Sequence, residues 1–238
     1  MKRVAVAIGG GDIPGWNFKT KDSNQTEYNL RKIDEYIRSL SDKENPKLLF
    51  IGTATKENIC YFNAIKKIYE QLGCLVDYLE IIDKENIEKI HSKVLDADII
   101  YIGGGNTKYM LSEWERVNLK DALLKAYNNG IILAGYSAGA YAMFNTNYEG
   151  IDGFNIIDAV VCVHYNEKSD EKKSMFLEKI KEIGKPGIAL DNSVALVYKN
   201  EEIFLVKETE EFKGYKFTIK NNNCSDNNKS TIIEKEEI

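Results

Sequence analysis

The chain is poor in proline, cysteine and histidine, and it lacks long apolar runs and an excess of basic residues. Its 238 residues include 3 prolines, 4 cysteines and 2 histidines. No apolar run approaches the roughly 18 residues that a membrane helix needs. The cysteines are scattered and form no C-x-x-C pair, so we expect neither a disulfide framework nor a metal site. Acidic residues outnumber basic ones, 37 to 32, which argues against a surface for nucleic acid or an anionic membrane.

The chain has enough apolar residues to form a core. The hydrophobic fraction is 43%, which excludes wholesale disorder. The first apolar run, Val4 to Ile8, is shorter than the hydrophobic region of a signal peptide, so we interpret it as a buried strand. Cys74 and Cys162 lie in apolar runs and are interpreted as core residues. We therefore expect a cytoplasmic protein with no membrane or nucleic-acid partner.

Apolar strands alternate with amphipathic helices over the first half of the chain. The predicted strands cover residues 4–8, 47–53, 74–82, 98–102 and 131–135. The predicted helices cover residues 26–40, 59–72, 86–95 and 108–127. Strands that are apolar on both faces and alternate with helices indicate an α/β fold, a doubly wound, mostly parallel sheet flanked by helices.

The pattern changes towards the C-terminus. Three short runs at residues 194–198, 202–206 and 215–219 predict antiparallel strands that close the sheet edge. Residues 221–238 are rich in Asn, Lys and Glu, and we expect this polar tail to fray at its end. With no repeat and no linker in between, residues 1–220 are predicted to form a single α/β domain.

A G-x-S-x-G motif is the most informative stretch of the sequence. Gly135-Tyr136-Ser137-Ala138-Gly139 follows a predicted buried strand and precedes a segment, residues 141–144, that can be helical. This is the context of a nucleophile elbow, which exposes the serine hydroxyl at the carboxyl end of the sheet. The backbone N–H of Ala138 can donate to a developing oxyanion. We therefore predict Ser137 as a nucleophile.

A serine nucleophile needs a base, and the chain offers two histidines. His91 lies on a predicted helix among charged residues, where a solvated surface position is expected. His164 follows the apolar run 159–163, which places it at the carboxyl edge of the sheet together with Ser137. An imidazole can take the serine proton and return it to a leaving amine. We predict His164 as the base.

The third member of such a site is a carboxylate that fixes the tautomer of the imidazole. Glu149 and Asp152 lie in the loop after the predicted elbow helix, and Asp191 ends an apolar run that can also reach the sheet edge. Asp158 lies too far down the strand that leads to His164. We favour Glu149, and Asp152 and Asp191 stay open as alternatives.

A glycine-rich turn follows the strand at residues 98–102. Its sequence is Gly103-Gly104-Gly105-Asn106-Thr107, without the G-x-G-x-x-G or Walker patterns of a phosphate loop. The N–H of Gly105 can serve as a second oxyanion donor opposite that of Ala138. The alternative is a plain strand-to-helix turn with Thr107 as the N-cap.

Taken in order, these motifs resemble the peptidase E-like serine hydrolases, peptidase family S51, which also include the cyanophycinases. The matching blocks are Gly9-Gly10-Gly11, Gly103 to Thr107, Gly135 to Ala140, Asp152 to Asp158 with the following Val163-His164-Tyr165, and Gly187 to Asn192. They cover residues from about 1 to 219, so the resemblance extends over the whole predicted domain.

The resemblance implies a fold related to class I glutamine amidotransferases and other flavodoxin-like sheets, with serine in place of cysteine at the elbow. It implies Ser137 as nucleophile, His164 as base, Gly105 and Ala138 as oxyanion donors, and an acid in the loop after the elbow helix, where Glu149 lies. It implies a dipeptidase E-like, serine-type peptidase that hydrolyses short peptides through an acyl-enzyme, with no metal or organic cofactor.

Substrate preference does not follow from the resemblance. Aspartyl dipeptidases of the family recognise an amino-terminal Asp with an Arg shortly after the histidine, whereas residues 166–176 here contain Lys168, Lys172 and Lys173 and no Arg. We therefore expect no strict preference for Asp. An amide or ester hydrolase of a non-peptide metabolite and a non-catalytic binding module are the alternative functions. The sequence leaves the oligomeric state open, a homodimer included.

Overall fold

The computed structural model describes residues 3–16, 28–81, 87–222 and 230–238. The strands are β1 Val4–Ile8, β2 Lys47–Ile51, β3 Leu75–Tyr78, β4 Ile99–Ile102, β5 Ile132–Tyr136, β6 Phe144–Asn147, β7 Ile157–Val163, β8 Gly187–Leu190, β9 Val194–Lys199, β10 Glu202–Lys207, β11 Gly214–Asn222 and β12 Ser230–Glu237. The helices are α1 Arg31–Ser39, α2 Ile59–Gln71, α3 Ile87–Leu95, α4 Thr107–Arg116, α5 Leu119–Asn128, α6 Ala138–Met143 and α7 Asp170–Ile183.

One sheet has seven strands in the order β10-β9-β1-β5-β4-β2-β3. The five strands from β1 to β3 in this order are mutually parallel, and β9 and β10 are antiparallel at one edge. Because neighbouring parallel strands run in one direction, the carboxyl ends of β1, β5 and β4 lie side by side. The prediction of a doubly wound, mostly parallel α/β sheet is confirmed.

A second sheet has five strands in the order β12-β11-β8-β7-β6. Strands β6, β7 and β8 are parallel, and β11 and β12 continue the sheet antiparallel. The chain passes from β8 to β9 through residues 191–193, and so moves directly from the second sheet to the first. The prediction of one C-terminal meander at a single edge is wrong, because β9 and β10 extend the first sheet while β11 pairs with β8.

Side chains on the two faces of the seven-stranded sheet enter two separate cores. Val4, Val6 and Ile8 of β1 pack with residues of α1 and α2. Ala5 and Ala7 of the same strand pack in the other core, which contains residues of α4, α5 and α6. Alternate residues of a strand point to opposite faces, so a strand covered by helices on both sides must be apolar throughout.

The helix predicted over residues 108–127 is two helices. Helix α4 ends at Arg116, and α5 begins at Leu119. Between them Asn118 has a left-handed backbone, with a φ of 49°. Asparagine tolerates this conformation better than most residues, and one such residue is enough to end a helix. The apolar spacing continues across the break, so periodicity alone predicts a single helix.

The end of the chain forms a strand. Residues Ser230–Glu237 pair antiparallel with β11, so the predicted frayed tail is wrong for this segment. The ammonium of Lys235 lies 3.6 Å from the ring centroid of Tyr215, and Glu237 pairs with Lys213 at 2.7 Å. These cross-strand contacts come from charged side chains, so a search for apolar alternation does not find the strand.

The interpretation of Cys74 and Cys162 as core residues is confirmed. Cys74 and Cys162 are buried, Cys60 is exposed, and all three are free thiols. Cys224 lies outside the described residues. Among the helices of the described segments, none has the length and apolar character needed to cross a membrane.

Helix α1 carries a buried carboxyl group, that of Asp34. The side chain of Asp34, on α1, is 1% exposed. Its two oxygens accept hydrogen bonds from the hydroxyl groups of Tyr28 at 2.6 Å and Tyr69 at 2.7 Å. Burial raises the pKa of Asp34 to about 6, although the two hydroxyl donors partly oppose this effect.

We expect the variant Asp34→Asn to gain stability relative to the parent as the pH rises from about 4 to about 6. Over this range the unfolded parent ionises Asp34 while the folded parent keeps it protonated, so the parent loses free energy of unfolding, on the order of 3 kcal/mol. Urea unfolding at several pH values measures the difference. Glu171, an exposed carboxylate on α7, changed to Gln, is the control, and a difference between Asp34→Asn and parent that is constant with pH contradicts the prediction.

Candidate active site

Ser137 occupies a strained turn between β5 and α6. Its backbone has φ 52° and ψ −103°, a conformation that a non-glycine residue adopts only where its surroundings impose it. The N–H of Ser137 donates to the carbonyl of Ile8 at 3.0 Å, and the carbonyl of Ser137 accepts from the N–H of Tyr141 at 2.9 Å. The strand–turn–helix context predicted around Ser137 is therefore present, and the side chain is half-buried.

The small residues around Ser137 let α6 lie directly against the sheet. A Cβ atom on Gly135 would meet the backbone of Gly139 and, at 2.8 Å, the backbone nitrogen of Ala140. A Cβ atom on Gly139 would meet the carbonyl oxygen of Ile102 in β4. Both glycines are required by this close approach, which leaves the turn too tight for larger neighbours.

His164 follows β7 in the second sheet. Its Nε2 atom lies 2.8 Å from Oγ of Ser137, and its backbone N–H donates to the carbonyl of Gly9 at 2.9 Å. We predicted the two side chains at one edge of a single sheet. The structure instead joins the carboxyl edges of two sheets, with Ser137 at the end of β5 and His164 at the end of β7.

The other ring nitrogen of His164 contacts an amide. Nδ1 lies 2.6 Å from Oδ1 of Asn192, which follows β8. Strands β7 and β8 are parallel neighbours, with Val163 opposite Leu190, so the residues just beyond each strand end are brought together. A ring nitrogen carries one proton or one lone pair, and at Nδ1 it faces Asn192. The predicted carboxylate at this atom, with Glu149 favoured, is therefore wrong.

The three candidate carboxylates lie elsewhere. Glu149 is exposed, shortly after β6. Burial and the neighbouring carboxylate of Glu149 raise the pKa of the Tyr148 hydroxyl to about 12. Asp152 is exposed in the same connection. Asp191 is buried, and its carboxylate accepts a hydrogen bond from the N–H of Lys213 at 3.0 Å. Asp191 thus faces Lys213, just before β11, while Asn192, in the turn that follows, faces His164.

The two residues that we set aside lie away from Ser137. His91, on α3, has Nε2 3.0 Å from the carbonyl oxygen of Val117, so it is tied to the α4–α5 connection rather than freely solvated as predicted. Asp158, near the start of β7, pairs with Lys185. Its place at the opposite end of the strand from His164 agrees with the prediction.

Two backbone segments lie beside Ser137. A Cβ atom on Gly104 would stand 3.2 Å from Cβ of Ser137, which places the turn after β4 next to the serine. Ala138 begins α6, and an N–H in the first turn of a helix has no acceptor within that helix. The N-cap of α4 is Asn106, whose Oδ1 accepts from the N–H of Tyr109 at 3.0 Å, so the alternative with Thr107 as the cap is wrong.

Gly10, after β1, is a site residue that the sequence reasoning missed. Its φ of 146° lies in a region that favours glycine, and a Cβ atom there would overlap Oδ1 of Asn192 and the ring of His164. The carbonyl of Gly10 also accepts from the N–H of Ser193 at 2.8 Å. Gly10 therefore provides the space in which the imidazole and the amide meet. The three consecutive glycines after a strand are the signal that could have revealed it.

Comparison with known proteins gives the family. The family model of Peptidase family S51 matches residues 21–206 of the chain. The chain belongs to peptidase family S51. It is 28% identical over 211 residues to the Bacillus subtilis protein named uncharacterized peptidase YgaJ, covering 86% of each chain. It is 25% identical over 224 residues to Peptidase E from a Nostoc species, covering 82% of this chain and 90% of the relative.

Solved structures show the same fold in this S51 peptidase and in a distant protein. A crystal structure of a peptidase from an acI-B1 actinobacterium superposes with a TM-score of 0.67, covering 100% of this chain and 98% of the other, at 20% identity. Agreement at this identity concerns the architecture of the two sheets and their helices.

The S51 peptidase carries lysines in the segment after His164. Lys168 is half-buried, its ammonium lies 5.1 Å from the ring centroid of Tyr148, and burial lowers its pKa. The ammonium of Lys173 lies 5.0 Å from the ring centroid of Tyr165. These two charges rest on aromatic faces beside the site, where a lysine offers a point charge without the paired donors of an arginine.

Proposed function

We propose that this S51 peptidase is a serine-type exopeptidase or dipeptidase that hydrolyses short peptides through an acyl-enzyme. The observation that carries the proposal is the 2.8 Å contact between Oγ of Ser137 and Nε2 of His164. A serine hydroxyl is a weak nucleophile, and a neutral imidazole within hydrogen-bond distance is the group that activates it.

The proposed reaction uses this pair in two half-reactions. His164 takes the proton of Ser137 as Oγ attacks the carbonyl carbon of the scissile bond, which gives a tetrahedral intermediate. The imidazolium then protonates the leaving amine, and the acyl group stays on Ser137. Water then attacks the ester while His164 takes a proton from it. When the bond between the acyl group and Oγ breaks, His164 returns this proton to Ser137 and the carboxylic acid product is released.

The oxyanion of each intermediate needs hydrogen-bond donors that are already in position. We propose the backbone N–H groups of Gly105 and Ala138 for this role, because the turn after β4 and the start of α6 both lie next to Ser137. Such donors stabilise charge that appears only in the transition state, and the loss of one typically lowers the rate by about 10²- to 10³-fold.

A panel of substrates tests the proposal. The purified chain is incubated with dipeptides and tripeptides with free or blocked termini, and with small esters and amides of non-peptide acids. We expect cleavage of short peptides with a free terminus, without a strict requirement for amino-terminal Asp, because no arginine follows His164 within residues 166–176. Cleavage restricted to the non-peptide compounds contradicts the peptidase specificity proposed here.

Substitution of Gly10 by Ala is expected to lower the peptidase rate by about 100-fold. The added methyl group meets Asn192 and the ring of His164, and a displacement of about 1 Å in a catalytic group has an effect of this size. The control is Gly184→Ala, at another positive φ (72°) where a Cβ atom meets nothing within 4 Å. Equal rates for the two variants are the result that contradicts the assigned role of Gly10.

A further inference from the structure

A second side chain reaches the imidazole through Asn192. Nδ2 of Asn192 donates to Oε1 of Glu167 at 2.8 Å, while Oδ1 of the same amide faces Nδ1 of His164 at 2.6 Å. Glu167 belongs to the short 3₁₀ turn Tyr165–Glu167 that directly follows His164. The imidazole, the amide and the carboxylate therefore form one continuous line of hydrogen bonds that begins at Ser137.

The chemistry of an amide makes its orientation important. Asn192 can present either an acceptor, Oδ1, or a donor, Nδ2, to the imidazole. An ionised carboxylate only accepts hydrogen bonds, so Glu167 must face Nδ2. This leaves Oδ1 for His164, whose Nδ1 must then carry the proton. With the proton on Nδ1, the lone pair of Nε2 faces the hydroxyl of Ser137, which is the arrangement that a general base requires.

We propose that Glu167 is a positioning residue that selects the tautomer of His164 through the amide of Asn192. The inference rests on the proposed function of Ser137 and His164 and adds a carboxylate that acts across an intervening amide. If the amide turned over, Nδ2 would donate to Nδ1 of His164 and the proton would move to Nε2, where it would block the uptake of the serine proton.

The backbone around Glu167 supports the same role. The N–H of Glu167 donates to the carbonyl of His164 at 3.0 Å, and the N–H of Asn192 donates to Oδ1 of Asn166 at 2.9 Å. Two neighbouring residues of one turn thus hold the main chain and the side chain of Asn192. Glu167 is exposed, so its direct Coulomb effect on the imidazole is screened by solvent and its main effect is orientation.

The test compares Glu167→Gln in two backgrounds. In the parent, a glutamine can either accept or donate, so it no longer fixes the amide of Asn192, and we expect kcat to fall about 10-fold with little change in KM. In Asn192→Asp, a carboxylate faces Nδ1 of His164 directly and lies against Glu167, so Glu167→Gln removes a repulsion between like charges and raises kcat. Glu171→Gln, an exposed acidic residue at the start of α7, is the matched control.

A merely structural role for Glu167 gives a different pattern. If the carboxylate only holds the turn in place, Glu167→Gln lowers kcat in both backgrounds, and this result overturns the proposal. An unchanged kcat in the parent background overturns it as well. Melting temperatures establish that each variant is folded.

The tautomer of His164 can be read without any substrate. We expect ¹⁵N NMR to show a protonated Nδ1 in the parent and a mixture of tautomers in Glu167→Gln. An identical tautomer in both proteins contradicts the inference. Because this readout does not depend on hydrolysis, it separates a failure of the positioning role from a failure of the proposed peptidase function.

Discussion

Replacing Ser137 with Ala is expected to lower kcat/KM on the best peptide substrate by about 10⁴-fold or more, while the melting temperature stays close to that of the parent. The substitution removes one oxygen atom that is half-buried at the carboxyl edge of the sheet, and alanine keeps the small volume that the turn demands. Without Oγ no acyl-enzyme can form. Any residual hydrolysis is then expected from water beside the imidazole and the proposed oxyanion donors.

The control for this prediction is Ser112→Ala. Ser112 is exposed on α4, and its hydroxyl donates to the carbonyl of Tyr109 at 2.8 Å. We expect the control to hydrolyse peptides at the parent rate. A folded Ser137→Ala protein that also does so would show that the serine is not the nucleophile.

Replacing His164 with Ala is expected to lower kcat by about 10⁴-fold or more, comparable to the loss of the serine. Residues that act as a unit are not additive, so the double variant of Ser137 and His164 should be little worse than either single one. The physical reason is that the proposed mechanism uses Ser137 and His164 in one proton transfer, across the 2.8 Å between Oγ and Nε2. Steady-state kinetics on the three variants measure this.

The chain provides its own matched control, since His91 is its second histidine. Nε2 of His91 lies 3.0 Å from the carbonyl oxygen of Val117, in the connection between α4 and α5, so His91→Ala should keep the parent kcat with some loss of stability. Losses that multiply in the double variant of Ser137 and His164 would mean that the two residues act in separate steps, against the proposed mechanism.

Much of the architecture is predictable from the sequence because the signals are local. Strand β1, with buried residues from Val4 to Ile8, and strand β5 before Ser137 are apolar runs that end in glycine-rich turns. The assignment of strands to sheets is a long-range property. The chain enters the first sheet at the sharp passage of residues 191–193, where Ser193 has a left-handed φ of 59°, and returns to the second sheet through residues 208–213, so that β11 pairs with β8.

The helix break at Asn118 and strand β12 were not predicted, each for a physical reason. The break at Asn118 rests on one backbone conformation inside a continuous apolar pattern. Strand β12 is stabilised by contacts such as the ion pair of Lys213 with Glu237 and the position of Lys235 over Tyr215. Charged residues in such an arrangement look like a solvated tail until the partner strand is known.

The candidate site, too, was predicted only in part. Ser137 and His164 could be predicted because a motif marks the first and a strand end marks the second. Asn192 was not predicted because a carboxylate, and not an amide, is the expected partner of Nδ1. The run from Gly187 to Leu190 does lead to the right edge, but the sequence does not say whether Asp191 or Asn192 turns towards the imidazole. The turn at Asn192 and Ser193 brings the amide to the imidazole, while Asp191 accepts a hydrogen bond from the N–H of Lys213.

The most direct test of the account is covalent labelling with a fluorophosphonate, followed by mass spectrometry of the proteolysed chain. The proposed mechanism predicts one adduct, on the peptide that contains Ser137, formed at least 100-fold more slowly in His164→Ala than in the parent. Folded parent protein that takes no label at Ser137, or a labelling rate that is the same without His164, would contradict it.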